Sequence, residues 1–188
     1  MSQLRIVIDT REQRAWYFPE EVATVRRGTL PTGDYALEGD TKFAIERKSL
    51  DDFLGTISSG WGRFESELAR MIGWVAKVII VEGTMLDVLQ GRHNHPVLTL
   101  GFVAKRLATL TLSGVSVIFA GDNIMGAGLA WAILAQRNKD LENGTNTSSG
   151  STAYEGSSMG VPQARKQVDD PQGDGVRAEI HSEGVHRV

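Results

Sequence analysis

The tripeptide Glu46-Arg47-Lys48, at the end of an apolar run, constrains this chain more than any other feature. Residues 43–48 form a short segment that is rich in aromatic and β-branched side chains and is preceded by turn residues. These features predict a β-strand. Since side chains alternate along a strand, Glu46 and Lys48 share one face, about 6–7 Å apart, and Arg47 points to the other. A carboxylate and an ammonium held together at a strand end indicate hydrolytic chemistry with a divalent metal ion.

A second acidic residue, Asp34, begins residues 34–38. This segment is predicted to be a strand that pairs with residues 43–48 in a hairpin. A two-residue loop between the strands would mix apolar and polar side chains on each face. A three-residue loop instead places Tyr35 opposite Ile45 and gives one wholly apolar face. The same register places Asp34 opposite Glu46. Because one buried face determines register, we favour the three-residue loop.

In that register the side chains of Asp34 and Glu46 lie about 5 Å apart at Cβ. Two like charges so close destabilise a hairpin unless a positive charge lies between them. A Mg²⁺ or Mn²⁺ ion, with Lys48 alongside, would balance the pair. Asp9, at the end of a predicted first strand over residues 4–9, is a third candidate ligand. An aspartate in that position also commonly begins a turn.

A helix is predicted directly after Lys48. Ser49, with Asp52 three residues later, fits a capping box, and apolar residues then recur at helical spacing. Asp52 therefore has three possible roles: a helix cap, a direct part in catalysis, or a partner that orients Lys48.

These residues resemble the signature of the XPF/MUS-type structure-specific endonucleases. The matching positions follow the pattern GD-x(n)-ERK-x3-D: Gly33-Asp34, Glu46-Arg47-Lys48 and Asp52. Residues 8–12 also resemble the first strand of that family and its acidic end. The resemblance covers approximately residues 4–137.

The resemblance implies a restriction-endonuclease-like α/β fold, with a mixed central sheet flanked by helices. It also implies an endonuclease, dependent on Mg²⁺ or Mn²⁺, that hydrolyses phosphodiester bonds in branched DNA during repair or recombination. The residues implied in catalysis are Asp34, Glu46, Lys48, Arg47 and Asp52, and the implied metal ligands are Asp9, Asp34 and Glu46. Arg47, on the opposite face of its strand, is also predicted to tie that strand to its neighbours through an ion pair.

Two arginines are candidate DNA contacts. Arg63, at the start of a predicted helix, matches an arginine that recurs there in the family and would touch a phosphate; otherwise it is a solvated side chain. Arg11 begins a segment rich in arginine and aromatic residues that could stack on bases or sugars. Within that segment, Trp16 and Phe18 are predicted to cover the core.

Composition and charge divide the chain into a nuclease domain over residues 1–139 and a low-complexity tail over residues 140–188, predicted to be disordered. The tail carries 8 acidic and 4 basic residues, a net charge of −4, which leaves 15 acidic and 16 basic residues elsewhere, a net of +1. This charge distribution permits nucleic-acid binding.

The absence of cysteine excludes disulfides and thiol catalysis. Without a signal peptide or a long apolar run, the protein is expected to be soluble and intracellular.

The predicted domain has five strands, which alternate with helices after an initial antiparallel run. In XPF/MUS-type nucleases the last helices of the domain form a dimer interface. Phe102, Leu112 and Trp131 are apolar residues that could serve such a homodimer or heterodimer here, although core packing explains them equally well. Two other functions remain open: a non-catalytic DNA-binding or scaffold subunit, and a restriction- or recombination-type nuclease on linear duplex.

Overall fold

The computed structural model of the chain describes residues 3–95 and 98–147. The predicted tail beyond Thr147 lies outside the described residues. The strands are β1 (Leu4–Asp9), β2 (Ala23–Gly28), β3 (Tyr35–Leu37), β4 (Phe43–Ser49), β5 (Ala76–Glu82) and β6 (Val115–Phe119). The helices are α1 (Leu50–Ile57), α2 (Trp61–Arg70), α3 (Met85–Leu89), α4 (Leu100–Leu112) and α5 (Asn123–Thr147).

The strands form one mixed sheet in the order β2-β1-β3-β4-β5-β6. This confirms the predicted α/β class, but the sheet has six strands and not five. The expected antiparallel run is also only partly correct, because β1 and β2 are parallel. The connection between them, residues 10–22, is long enough to cross over and return to the same end of the sheet. Among these six strands β3 alone runs in the opposite direction.

The hairpin of β3 and β4 has the predicted register, with Tyr35 opposite Ile45. The backbone N–H of Asp34 continues the ladder and donates to the carbonyl of Ile45 at 2.8 Å. Tyr35 and Ile45 lie on the apolar face and are completely buried. Asp34 is therefore aligned with Glu46 just where the antiparallel ladder ends.

The sheet is covered on both faces, and each face has its own core. α5 covers one core, whose buried residues include Ile6, Ile8, Trp16, Tyr35, Ile45, Ile80 and Leu134. The other core contains residues of α1, α2 and α4 packed on β5 and β6, among them Phe53, Leu54, Ile57, Ile79, Val81, Val103 and Leu110. Burial on both faces explains why β5 is an almost continuous apolar run.

Helix α5 extends beyond the predicted domain boundary at residue 139. Its first turn is capped by Asp122, whose carboxylate accepts a hydrogen bond from the backbone N–H of Met125 at 2.8 Å. Leu141, on the far side of the boundary, packs against the core beneath the helix. In the part of the chain that the structure describes, none of the helices combines the length and apolar character needed to span a membrane.

Two glycines of α5 make a matched pair for a stability measurement. A Cβ on Gly126 would lie 2.9 Å from the buried ring of Trp16, whereas a Cβ on Gly128 would meet nothing within 4 Å. We expect Gly126→Ala to lower the free energy of unfolding by about 1–2 kcal/mol, because the packed indole cannot move away. Gly128→Ala should raise it by about 0.5–1 kcal/mol through helix propensity. Urea unfolding of both variants checks this, and equal effects would contradict it.

Candidate active site

The strand directions bring several charged side chains to one edge of the sheet. β1, β4 and β5 end at this edge, and β3 begins there, since it runs in the opposite direction. An open cleft of about 530 Å³ lies at this edge. Its acidic lining residues are Glu12, Asp34, Glu46, Asp52 and Glu82, and its basic lining residues are Arg11, Arg14 and Arg47.

Asp34 and Glu46 both line this cleft, as the hairpin register predicts. One carboxylate oxygen of Asp34 accepts a hydrogen bond from the backbone N–H of Arg47 at 2.8 Å. Burial, and then the nearby negative charge of Glu46, raise the pKa of Asp34 to about 7. Among the described residues no cationic side chain forms an ion pair with Asp34. The site therefore holds more negative charge than its own cations balance.

Lys48 lies next to Glu46 on the same face of β4, again as predicted. Its Nζ donates to Oε1 of Glu46 at 2.8 Å. The side chains of Lys48 and Glu46 are 17% and 29% exposed. Glu46 lines the cleft, whereas Lys48 is not among its lining residues and lies behind the glutamate.

Arg47 points to the opposite face of β4 and joins three parts of the chain. Its Nε and Nη2 donate to the two carboxylate oxygens of Glu82 at 2.8 and 2.9 Å. Its Nη1 donates to Glu12 at 3.3 Å and to the carbonyl oxygen of Arg14. Glu82 also accepts a hydrogen bond from the indole N–H of Trp16 at 2.7 Å. The geometry fits the predicted ion pair that ties β4 to its neighbours.

Asp9 is not free to join Asp34 and Glu46. It is completely buried. Its carboxylate accepts hydrogen bonds from Nε, Nη2 and the backbone N–H of Arg11, and from the backbone N–H of Leu30, at 2.6–3.1 Å. The Arg11 guanidinium lowers the pKa of Asp9 to about 2. Within residues 3–95 and 98–147 no three acidic or imidazole groups converge as a ready metal cluster.

The other predicted residues lie at different distances from this centre. Asp52 lines the cleft, but its contacts are those of a cap: its backbone N–H donates to Oγ of Ser49 at 3.1 Å, and Oγ donates to its carboxylate at 2.7 Å. Arg11 lines the cleft with a side chain that is 67% exposed. Arg63 is exposed on α2 and is not among the residues that line the cleft.

Two charged residues of the site, Glu12 and Glu82, were not predicted to take part in it. Glu82 ends an apolar strand parallel to β4, and carboxyl ends of parallel strands meet at one edge, so its position carried a usable signal. Glu12 lies in a loop whose path the sequence does not determine. Both carboxylates hold Arg47, and Glu12 also contributes to the raised pKa of Asp34.

The raised pKa of Asp34 predicts how stability depends on pH in metal-free protein. Because the pKa rises from 3.8 to about 7 on folding, the folded state binds the proton more tightly, and stability from this group is lost as pH rises from about 4 to 7. In EDTA at pH 8, the free energy of unfolding of Asp34→Asn should be about 2 kcal/mol higher than that of the parent protein. At pH 4 the two proteins should have the same free energy of unfolding. Urea unfolding at both values measures this, and a pH-independent difference would count against it.

The described residues form an α/β domain, with a mixed sheet covered by helices on both faces and an acidic cleft where its parallel strands end. The fold is shared by a solved structure described as "XPF from Aeropyrum pernix", with 22% sequence identity, a TM-score of 0.53, and coverage of 76% of this chain and 69% of that chain. At this level of identity the similarity concerns the fold.

The family follows from the sequence match. The model of the ERCC4 domain matches residues 8–129, which is more than half of the chain. The chain therefore belongs to the ERCC4 domain family, and its domain is of the XPF nuclease type, as its motif predicts. No curated protein gives a significant match to the chain.

Proposed function

We propose that this protein is a metal-dependent DNA endonuclease that hydrolyses phosphodiester bonds in branched DNA, in repair or recombination. The observation that carries the proposal is the pairing of Asp34 and Glu46 in one open cleft, where burial and mutual repulsion raise the pKa of Asp34 to about 7. Two carboxylates that are partly buried and repel each other are stabilised by a bound cation, so their arrangement suits a cation-binding site.

Asp34 and Glu46 are the residues that would hold Mg²⁺ or Mn²⁺. Their number fits, because Mg²⁺ is usually bound by one or two carboxylates, with waters and substrate phosphates as the other ligands. A bound ion of this kind supplies an activated water and stabilises negative charge on the phosphate. Asp9 contributes by holding Arg11, since its own oxygens are engaged with that guanidinium; a role for Asp9 as a ligand would require it to release Arg11.

The cationic side chains orient the substrate and stabilise the charge that develops on it. Lys48 can donate to a non-bridging oxygen of the scissile phosphate while it stays beside Glu46. Arg11, at the rim of the cleft, can contact an adjacent phosphate. Arg63, in the first turn of α2 and outside the cleft, can contact a more distant phosphate of the DNA. Asp52 keeps the start of α1 in place through Ser49, which holds the end of β4 and so the position of Lys48.

We further propose that the domain dimerises through α4 and α5, with itself or with a related chain. Leu112, at the end of α4, is 90% exposed and presents apolar surface, whereas Trp131 on α5 is 37% exposed and lines a groove beside residues 14–19. Phe102 is partly buried and packs against the core, so it serves the fold first. Sedimentation of the parent protein and of Leu112→Glu tests this, since a charge at an apolar interface should dissociate the dimer.

The test of the proposed activity is a panel of labelled DNA substrates. Flap, fork, four-way junction and plain duplex DNA are each incubated with the full chain in Mg²⁺, in Mn²⁺ and in EDTA. We expect cleavage of the branched substrates with either ion, weaker cleavage of the duplex, and none in EDTA. Equal cleavage of duplex and branched DNA would indicate a nuclease on linear DNA. Titration of the protein with Mg²⁺ or Mn²⁺ in a calorimeter would distinguish a nuclease from a non-catalytic scaffold subunit. A scaffold subunit should neither bind the metal ion nor cleave DNA.

A further inference from the structure

A second groove adjoins the proposed active cleft. It has a volume of about 490 Å³ and lies between residues 14–19 and the first turns of α5. Arg14 and Arg47 line both the groove and the cleft. The groove is thus a continuation of the cleft around the β1–β2 connection, on the face of the sheet that α5 covers.

Tyr17 stands on a segment that is fixed on both sides. Trp16 and Phe18 are each only 5% exposed, and they contact the ring of Tyr35 at centroid distances of 4.6 and 6.0 Å. The backbone N–H of Trp16 donates to the hydroxyl of Tyr35 at 2.9 Å. Tyr17, between these two anchors, is 78% exposed. An exposed ring on so rigid a backbone can form contacts with little loss of entropy.

The groove lacks the acidic side chains that line the cleft, and because Arg47 is already paired with Glu12 and Glu82, its exposed cation in the described part of the chain is Arg14. Arg14 and Arg47 are the charged residues of the groove, and among the described residues no acidic side chain lines it. Apart from Asn123, its other lining residues are apolar, aromatic or glycine, and they include Ile124, 79% exposed, and Trp131, 37% exposed. A suitable occupant has a flat apolar face and a negatively charged backbone, which describes an unpaired nucleotide. A base within a duplex cannot present its face in this way.

We propose that an unpaired strand of the substrate leaves the active cleft past Arg14 and stacks a base on Tyr17 in this groove. The inference rests on the proposed nuclease function, and it adds Tyr17 and Arg14 to the residues that bind the substrate. The exposed side chain of Arg14 can bind a phosphate of that strand. Its backbone is held in place, since its backbone N–H donates to Glu12 at 2.6 Å and its carbonyl oxygen accepts from Arg47.

Binding of a fluorescent oligothymidylate in EDTA, measured by anisotropy with the full chain, tests the inference without cleavage. Tyr17→Ala should weaken binding about tenfold, or ~1.4 kcal/mol, which is within the range of one base–aromatic stack. Tyr17→Phe should bind within about twofold of the parent protein. Ile72→Ala, which also removes an exposed apolar side chain (81% exposed) but outside the groove, is the control and should bind normally.

Unchanged binding by Tyr17→Ala, or equal loss in Tyr17→Phe, would overturn the inference. So would no measurable binding by the parent protein. If Tyr17→Ala changes the sedimentation of the protein but not its affinity for the oligonucleotide, the groove contacts a second copy of the chain, and the inference fails. Cleavage of the substrate panel decides the nuclease function independently, because the oligonucleotide assay contains no metal ion.

Discussion

Glu46→Gln should reduce the single-turnover rate of cleavage of branched DNA in Mg²⁺ by about 10³-fold, which corresponds to ~4 kcal/mol of transition-state stabilisation. Glutamine keeps the size of the side chain and can still accept the hydrogen bond from Lys48, 2.8 Å long in the parent protein. It removes the charge that, with Asp34, would hold the metal ion. The loss should therefore persist at saturating DNA, as expected for an interaction made in the transition state.

The matched control for this variant is Glu65→Gln. Glu65 is exposed on α2 and does not line the cleft, so its substitution should leave the rate within about twofold. Glu46→Gln should also unfold at no lower urea concentration than the parent protein at pH 8, because it relieves repulsion of Asp34. Cleavage by Glu46→Gln at a rate close to that of the parent protein would remove Glu46 from the catalytic centre.

Arg47→Met should lower the free energy of unfolding by about 3 kcal/mol. Arg47 is 14% exposed, and its partners Glu82 and Glu12 are 18% and 12% exposed. The substitution leaves two poorly hydrated carboxylates without their cation, which is the costly way to break an ion pair. It also removes the donor to the carbonyl of Arg14. Urea or thermal unfolding measures the change.

Arg26→Met is the control for Arg47→Met. Arg26 forms an ion pair with Glu38, but the two side chains are 55% and 38% exposed, and such surface pairs contribute about 0–1 kcal/mol. The double variant Arg47→Met with Glu82→Gln should regain part of the stability, since one unpaired charge is then absent. If Arg47→Met and Arg26→Met have equal effects, the Arg47 cluster is not a structural anchor.

The sequence predicted those parts of the site that depend on strand periodicity. The apolar face of the hairpin determined its register, and the register alone aligns Asp34 with Glu46. Alternation along β4 then separates Lys48 from Arg47. The cap of α1 by Ser49 was equally readable, since it depends on residues three apart.

What the sequence did not predict depends on contacts between distant segments. Nothing in the sequence around Asp9 shows that Arg11 turns back to hold its carboxylate, or that the backbone of Leu30 approaches it. The partners of Arg47 come from residues 35 positions away on either side. The parallel pairing of β1 and β2 also depends on the path of a long connection, where no side-chain periodicity constrains the chain.

Because β3 is short, a buried core residue and a residue of the proposed active site are direct neighbours in the chain. Tyr35, completely buried and in contact with Trp16 and Phe18, directly follows Asp34 in a strand of three residues. A change in the size of the tyrosine ring would displace the neighbouring acid. Substitutions at these two positions are therefore expected to affect each other, and attempts to redesign the interior of this domain for thermostability should begin at Leu134 or Ile57 and leave Tyr35 unaltered.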